Sequence, residues 1–120
     1  MSFWSQEVVQ PTLDNDIEEA IREQQAILQQ NARDAGAHFA MGTLTYFKGD
    51  RDAAVAYFRR AIELDPNYAA PRASLGRILA LEGDHAAAWE QARAAERLGD
   101  RSLRDLLERY LPPPPAGAVE

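Results

Sequence analysis

A gapless internal repeat of 34 residues is the feature that most limits how this sequence can fold. It is carried by pairs of identical residues that stand 34 positions apart, among them Gly42 and Gly76, Gly49 and Gly83, Asp50 and Asp84, Ala54 and Ala88, and Leu64 and Leu98. A repeat of this length is typical of proteins that stack one supersecondary unit on the next, because a single unit cannot bury its apolar face alone. We therefore expect one domain of stacked units.

Each unit is predicted to be a hairpin of two helices. The first helices cover residues 37–47 and 71–81, and the second helices cover residues 51–64 and 85–98. Gly49 and Gly83 follow the first helices, where glycine is the usual stop signal. Asp50 and Asp84 come next and can cap the second helices, because an aspartate side chain accepts hydrogen bonds from the free N–H groups of a helix start.

The same reasoning extends to the start of the chain. Asn15 stands where the later copies carry glycine, which predicts a turn at residues 14–16 and a helix at 16–33. The apolar stripe of that helix comprises Ile17, Ala20, Ile21, Ile27 and Leu28. We expect a short, degenerate helix near residues 3–10, stopped by Pro11, to cover the stripe with Phe3, Trp4, Val8 and Val9. The alternative is that a second protomer covers it, which would make the protein a homodimer.

Two segments follow the last repeat. Residues 103–111 place leucines and Tyr110 at i, i+3, i+4, i+7 and i+8, which predicts a short amphipathic capping helix. Residues 112–120, PPPPAGAVE, are expected to be extended or disordered, because proline lacks the N–H that a helix needs.

The repeat unit resembles the tetratricopeptide repeat, whose pattern is W-x₂-L-G-x₂-Y…A-x₃-F…P over 34 residues. The copy at 35–68 supplies Met41, Gly42, Ala54, Phe58 and Pro66 at the matching positions, and the copy at 69–102 supplies Leu75, Gly76 and Ala88. His38 and Arg72 depart from the pattern at the tryptophan position, as does Ala92 at the phenylalanine position. The resemblance implies an all-α, right-handed solenoid with a degenerate first repeat at 1–34, repeats at 35–68 and 69–102, and the capping helix.

The resemblance also implies where a ligand would bind. In the family, the first helices of successive repeats line a concave groove that holds peptides. Carried over to this sequence, the groove comprises Phe39, Thr43, Tyr46, Phe47, Ala73, Arg77, Ala80 and Leu81. The alternative is that these side chains form ordinary core. That alternative is favoured for Phe47 and stays open for Phe39 and Tyr46.

Residues that could carry out chemistry are few. The sequence has no cysteine, and its histidines, His38 and His85, are not at metal-ligand spacing. Nucleotide-binding and nucleophile motifs are absent from the sequence, so we expect a non-catalytic protein without metal or cofactor. Trp89 falls at a position that is apolar in all three copies and is expected to pack against the C-terminal helix rather than bind a ligand.

The expected function is protein–protein interaction, as an adaptor or scaffold that binds a peptide or helix of a partner. The net charge of −6 argues against a nucleic-acid partner, and the lack of a long apolar run argues against a membrane span. The N-terminus does not have the pattern of a signal peptide, so a cytoplasmic location is expected. An apolar groove with one cation suits a partner that carries a carboxylate. The alternatives are a self-assembly module that forms homo-oligomers, or a subunit of a larger complex.

Overall fold

Six α-helices follow one another in the computed structural model, which describes residues 2–111 and, from Leu13 onward, their side chains. Their bounds are Ser2–Gln30 (α1), Ala35–Phe47 (α2), Arg51–Leu64 (α3), Ala69–Leu81 (α4), His85–Arg97 (α5) and Ser102–Tyr110 (α6). The all-helical hairpin architecture expected from the repeat is thereby confirmed for α2 to α5. The expected disorder of residues 112–120 lies outside the described residues.

Aspartates begin three of the helices. The side chain of Asp50 accepts a hydrogen bond from the Ala53 N–H at 3.1 Å, and that of Asp84 accepts one from Ala87 at 3.2 Å. Asp34 caps α2 in the same way through the Ala37 N–H, at 2.9 Å. The caps expected at Asp50 and Asp84 are therefore confirmed, and each satisfies an N–H group that has no partner within its helix.

Glycines with a left-handed backbone end α2, α4 and α5. Gly49, Gly83 and Gly99 have φ angles of 91°, 87° and 97°, a region that costs a residue with a Cβ atom extra free energy. After each glycine, the next N–H donates back to a carbonyl five residues earlier, as from Asp50 to Thr45 at 2.9 Å. The repeat predicted the first two turns. The third turn, at Gly99, was not expected. In the preceding repeat the corresponding helix, α3, ends at Asp65-Pro66 and has no glycine there.

The turn predicted at residues 14–16 is wrong. Helix α1 runs without interruption from Ser2 to Gln30, so Asn15 is helical and Pro11 does not stop the chain. Asparagine in a helix interior is less favourable than alanine by at most about 0.7 kcal/mol, whereas a left-handed turn costs a non-glycine residue roughly 1–2 kcal/mol. Asn15 therefore gives a weaker stop than Gly49 or Gly83.

The continuous course of α1 also decides how its apolar stripe is covered. A helix rises about 1.5 Å per residue and cannot fold its own first turns back onto later ones, so the expected covering in cis by a separate helix near 3–10 is wrong. Where the side chains of Phe3, Trp4, Val8 and Val9 point lies outside the described side chains. Helix α1 packs against α2, and the stripe is half-buried except for Ile27, which is 41% exposed.

Successive helices pack on one another, and α6 also reaches back to α4. Small residues allow the close approaches. Ala54, Ala61 and Ala88 are fully buried, and a Cβ atom built on Gly42 would lie only 2.6 Å from the Phe58 ring. These small residues therefore mark places where two helices of this chain approach closely.

The repeat at 69–102 fills the corresponding space with a residue from a different position. Ala92 replaces the phenylalanine that Phe58 supplies one repeat earlier, so it cannot cover Gly76 as Phe58 covers Gly42. Leu103 of α6 takes that place: it is fully buried, and its side chain lies where a Cβ atom on Gly76 would be. Helix α6 is therefore part of the core and closes the last hairpin.

Larger side chains at these crossings should destabilise the fold. Gly76→Leu or Ala54→Leu is expected to lower the free energy of unfolding by about 1–3 kcal/mol, because neither position has room for added carbons. Denaturant titration measures the loss, with Ala56→Leu as the matched control because Ala56 is exposed on the same helix as Ala54. Equal stability of Ala54→Leu and Ala56→Leu would contradict the assigned crossing.

Candidate partner-binding surface

The C-terminal half of α2 and the middle of α4 enclose a cleft of about 280 Å³. The side chains that line this α2–α4 cleft are Thr43, Tyr46, Phe47, Phe58, Ser74, Arg77, Ile78 and Leu81. Phe58 comes from α3 and is 2% exposed, so it is held in place by the core. The cleft exists because α2 and α4 are successive first helices, with α3 beneath them.

A second cleft, of about 370 Å³, lies on the other side of α4. This α4–α6 cleft is lined by Arg77, Ala80, Leu81, Leu106, Leu107, Tyr110 and Leu111. Helix α6 thus occupies the place that the first helix of a further repeat would take. Arg77 and Leu81 line both clefts, so the two form one surface that α4 divides.

The sequence-predicted groove residues fall into two groups. Thr43, Tyr46, Phe47, Arg77 and Leu81 line the α2–α4 cleft, and Ala80 joins Arg77 and Leu81 in the α4–α6 cleft. Phe39 and Ala73 line neither cleft. Ala73 is 5% exposed in the core, and the Phe39 ring lies against Phe58 and Tyr68 with centroids 5.7 and 5.4 Å apart. Phe39 is half-buried against these rings and Ala73 is buried, so neither side chain forms part of the walls of the two clefts.

Phe47 is more exposed than the sequence predicted. The core was favoured for it, yet its side chain is 70% exposed at the end of α2. Phe47 also lines a third cleft, formed with Asp14, Ile17, Glu18 and Lys48 between α1 and α2. Tyr46, left open between groove and core, is 36% exposed.

Helix α6 contributes residues that the sequence reasoning missed. Leu106 and Tyr110 line the α4–α6 cleft and are 36% and 69% exposed. The sequence marked them as the apolar face of a cap, but Leu103 and Leu107 alone supply the buried face. The sequence did contain a signal for this: the nine residues of α6 carry more apolar side chains than its buried face uses.

Two carboxylates near these clefts have a lowered pKa. In the cleft between α1 and α2, Lys48 donates to Glu18, and this bond and charge hold the pKa of the Glu18 carboxyl below its usual value. Between α5 and α6, two hydrogen bonds from Ser102 lower the pKa of Asp100, and the charge of Arg77 acts in the same direction. The carboxylate of Asp100 is therefore already held by Ser102, 2.6 Å from its hydroxyl oxygen.

The remaining candidates have structural surroundings. The Nε2 atom of His38 lies 2.9 Å from the Ala32 carbonyl oxygen, and His85 begins α5. Trp89 is 3% exposed and belongs to the same core cluster as Leu103 and Leu107, as expected. From Leu13 to Leu111, no three His, Cys, Asp or Glu side chains come together as a metal ion would require. The helices of residues 2–111 include none with the length and apolar character needed to cross a bilayer.

Comparisons with known proteins agree with this geometry. Residues 35–68 match the tetratricopeptide repeat. Over 87 residues the chain is 32% identical to the probable biofilm formation methyltransferase WspC of Pseudomonas putida, a match that covers 72% of this chain and 20% of that protein. The chain therefore spans about a fifth of the length of this relative.

The fold defines a helical-repeat protein of stacked hairpins. The match over residues 35–68, together with the 34-residue period that continues through residues 69–102, supports assignment to the tetratricopeptide-repeat family. Repeats of this family generally mediate protein–protein interactions.

Proposed function

We propose that the surface formed by the α2–α4 and α4–α6 clefts binds a segment of a protein partner, and that the chain acts as a non-catalytic adaptor or scaffold. The observation that carries the proposal is the exposure of large apolar side chains on this one surface. Phe47, Leu81 and Tyr110 are 70%, 65% and 69% exposed, although all three sit beside buried core. Apolar side chains that gather on a protein's surface mark interaction sites, because leaving them in water is unfavourable.

The shape of the clefts supports a peptide-like ligand over a small molecule. Their volumes are about 280 and 370 Å³, the first just below and the second near the lower limit of the roughly 300–1,000 Å³ that small-molecule sites occupy. Clefts of this size suit one or two side chains each. The methyltransferase activity in the relative's name is not carried over to this chain, since the match covers 20% of that protein.

Binding should depend on the exposed apolar residues. The double variant Phe47→Ser/Leu81→Ser is expected to lose the proteins that the wild-type chain captures from its native cell extract, measured by quantitative mass spectrometry. Because both side chains are more than half exposed, the melting temperature should change little.

The matched control is Leu98→Ser, which also removes an exposed leucine, 36% exposed, but lies outside these clefts. Capture should be unchanged in this variant. Equal capture by the wild type and the double variant would contradict the proposed surface, and equal loss in the control would show that the effect is not local.

Self-assembly is a second candidate, and one observation favours it. The uninterrupted α1 leaves Leu13 and Ile27 54% and 41% exposed, because the residues before Leu13 continue the same helix and do not fold back over it. Analytical ultracentrifugation over a wide concentration range separates the two functions. A mass that rises to that of a dimer, and returns to that of a monomer in Leu13→Ser/Ile27→Ser, would support self-assembly.

A further inference from the structure

Arg77 is the charged side chain that the two clefts share. It is exposed, and it lines the α2–α4 cleft beside Phe47 and the α4–α6 cleft beside Tyr110. From Leu13 to Leu111, no carboxylate lies within ion-pair distance of its guanidinium group. Asp100, whose pKa the charge of Arg77 helps to lower, is already bonded to Ser102.

The apolar surroundings of Arg77 determine which type of side chain a partner must place beside its guanidinium group. A partner that covers Leu81 on both sides of α4 also covers Arg77 and removes water from its guanidinium group. A charge taken out of water without a counter-charge is strongly unfavourable, whereas an arginine–carboxylate pair with direct hydrogen bonds offsets that loss. Charge complementarity therefore requires an acidic side chain between the two apolar contacts.

The placement of the clefts decides the spacing of those contacts. They flank α4, and a helix with its side chains is about 10–12 Å across. On a partner helix, residues i and i+7 lie on one face and about 10.5 Å apart, with i+3 and i+4 between them on the same face. On an extended strand, side chains of one face recur about every 6.6 Å, so that no pair matches the width of α4.

We propose that the partner segment is an amphipathic α-helix that crosses α4. Its apolar side chains at i and i+7 enter the two clefts, and an aspartate or glutamate at i+3 or i+4 pairs with Arg77. This inference rests on the proposed function, since it names the chemistry of the ligand that the same surface binds.

Selection from a library of random 16-residue peptides displayed on phage tests the inference. The full chain, the Arg77→Glu variant and the Arg59→Glu variant are used as parallel targets. Arg59 is the matched control because it is an exposed arginine on α3 and lines neither cleft. The wild type and Arg59→Glu should enrich peptides with an apolar–acidic–apolar pattern at i, i+3 or i+4, and i+7. Arg77→Glu should enrich lysine or arginine at the central position instead.

The most enriched wild-type peptide, synthesised and labelled, gives a quantitative readout. Its affinity for Arg77→Glu should fall by about tenfold or more, as expected when a charge-assisted hydrogen bond is lost and a repulsion replaces it. Its circular dichroism should show a gain of helix on binding.

The contrary outcomes separate the inference from the function. Peptides that need Leu81 for binding but no acidic residue would overturn the inference and leave the proposed function unaffected. Peptides whose contacting residues alternate with a period of two, as in an extended strand, would do the same. Failure to enrich any peptide, or binding that is unchanged in Phe47→Ser/Leu81→Ser, would overturn both.

Discussion

Phe58→Ala is expected to lower the free energy of unfolding by about 3–5 kcal/mol, the range for truncating a buried phenylalanine. The ring is 2% exposed, packs over the Cα of Gly42, and lies 5.7 Å from the Phe39 ring between centroids. Its removal empties the junction of α2, α3 and α4. A domain of this size has only about 5–15 kcal/mol of stability in total, so a large fraction of the folded state would be lost.

Denaturant titration with a circular dichroism signal measures this loss, and Phe47→Ala is the matched control. Both variants remove a phenylalanine ring from the same cleft lining, but Phe47 is 70% exposed and its removal leaves no cavity. The control should change stability by no more than about 0.5 kcal/mol. Similar losses in both variants would contradict the division of the cleft into a buried floor and an exposed rim.

Leu103→Ala is expected to cost about 2–5 kcal/mol, because this fully buried leucine fills the space above Gly76. The partner substitution Ala92→Phe restores the residue that the preceding repeat carries as Phe58. Alone, Ala92→Phe should destabilise by about 1–3 kcal/mol, since Ala92 is fully buried and the added ring competes with Leu103 for space.

The double variant Leu103→Ala/Ala92→Phe tests the exchange directly. If the new ring takes the space that Leu103 leaves, the double variant should be more stable than the sum of the single losses predicts, by about 0.5–3 kcal/mol. Chemical denaturation of the four proteins gives this coupling. Simple additivity would mean that Leu103 does not stand in for the missing phenylalanine.

The hairpins were predictable because their signals are local. Asp50 and Asp84 cap helices through their own side chains, and Gly49 and Gly83 adopt left-handed backbones that other residues avoid. Such signals depend on a few neighbouring atoms and are present in the sequence itself. Asn15 shows the limit of such local signals: asparagine stops a helix less strongly than glycine, and α1 continues through it.

The candidate surface was predictable only in part. Helix α2 carries apolar residues on two faces, and no local rule says which face a later helix will cover. Packing by α3 and by the segment that follows it placed Phe39 against Phe58 and Tyr68, and left Phe47 exposed at the end of the helix. These contacts made Phe39, which the sequence left open, half-buried, and the exposure of Phe47 is the reverse of the expected core position.

The sequence by itself determined the period, the hairpins of α2 to α5 with the turns at Gly49 and Gly83 and the caps at Asp50 and Asp84, and the resemblance to the tetratricopeptide repeat, because each depends on residues close together in the chain or repeated at a constant interval. Only the tertiary structure decided that Leu103 replaces a missing aromatic ring, that α6 forms one wall of a cleft, and that Arg77 stands between two apolar clefts. These features arise where helices distant in sequence meet. Which side chains are covered there depends on the volume and orientation of every neighbour, and a repeat pattern does not contain that information.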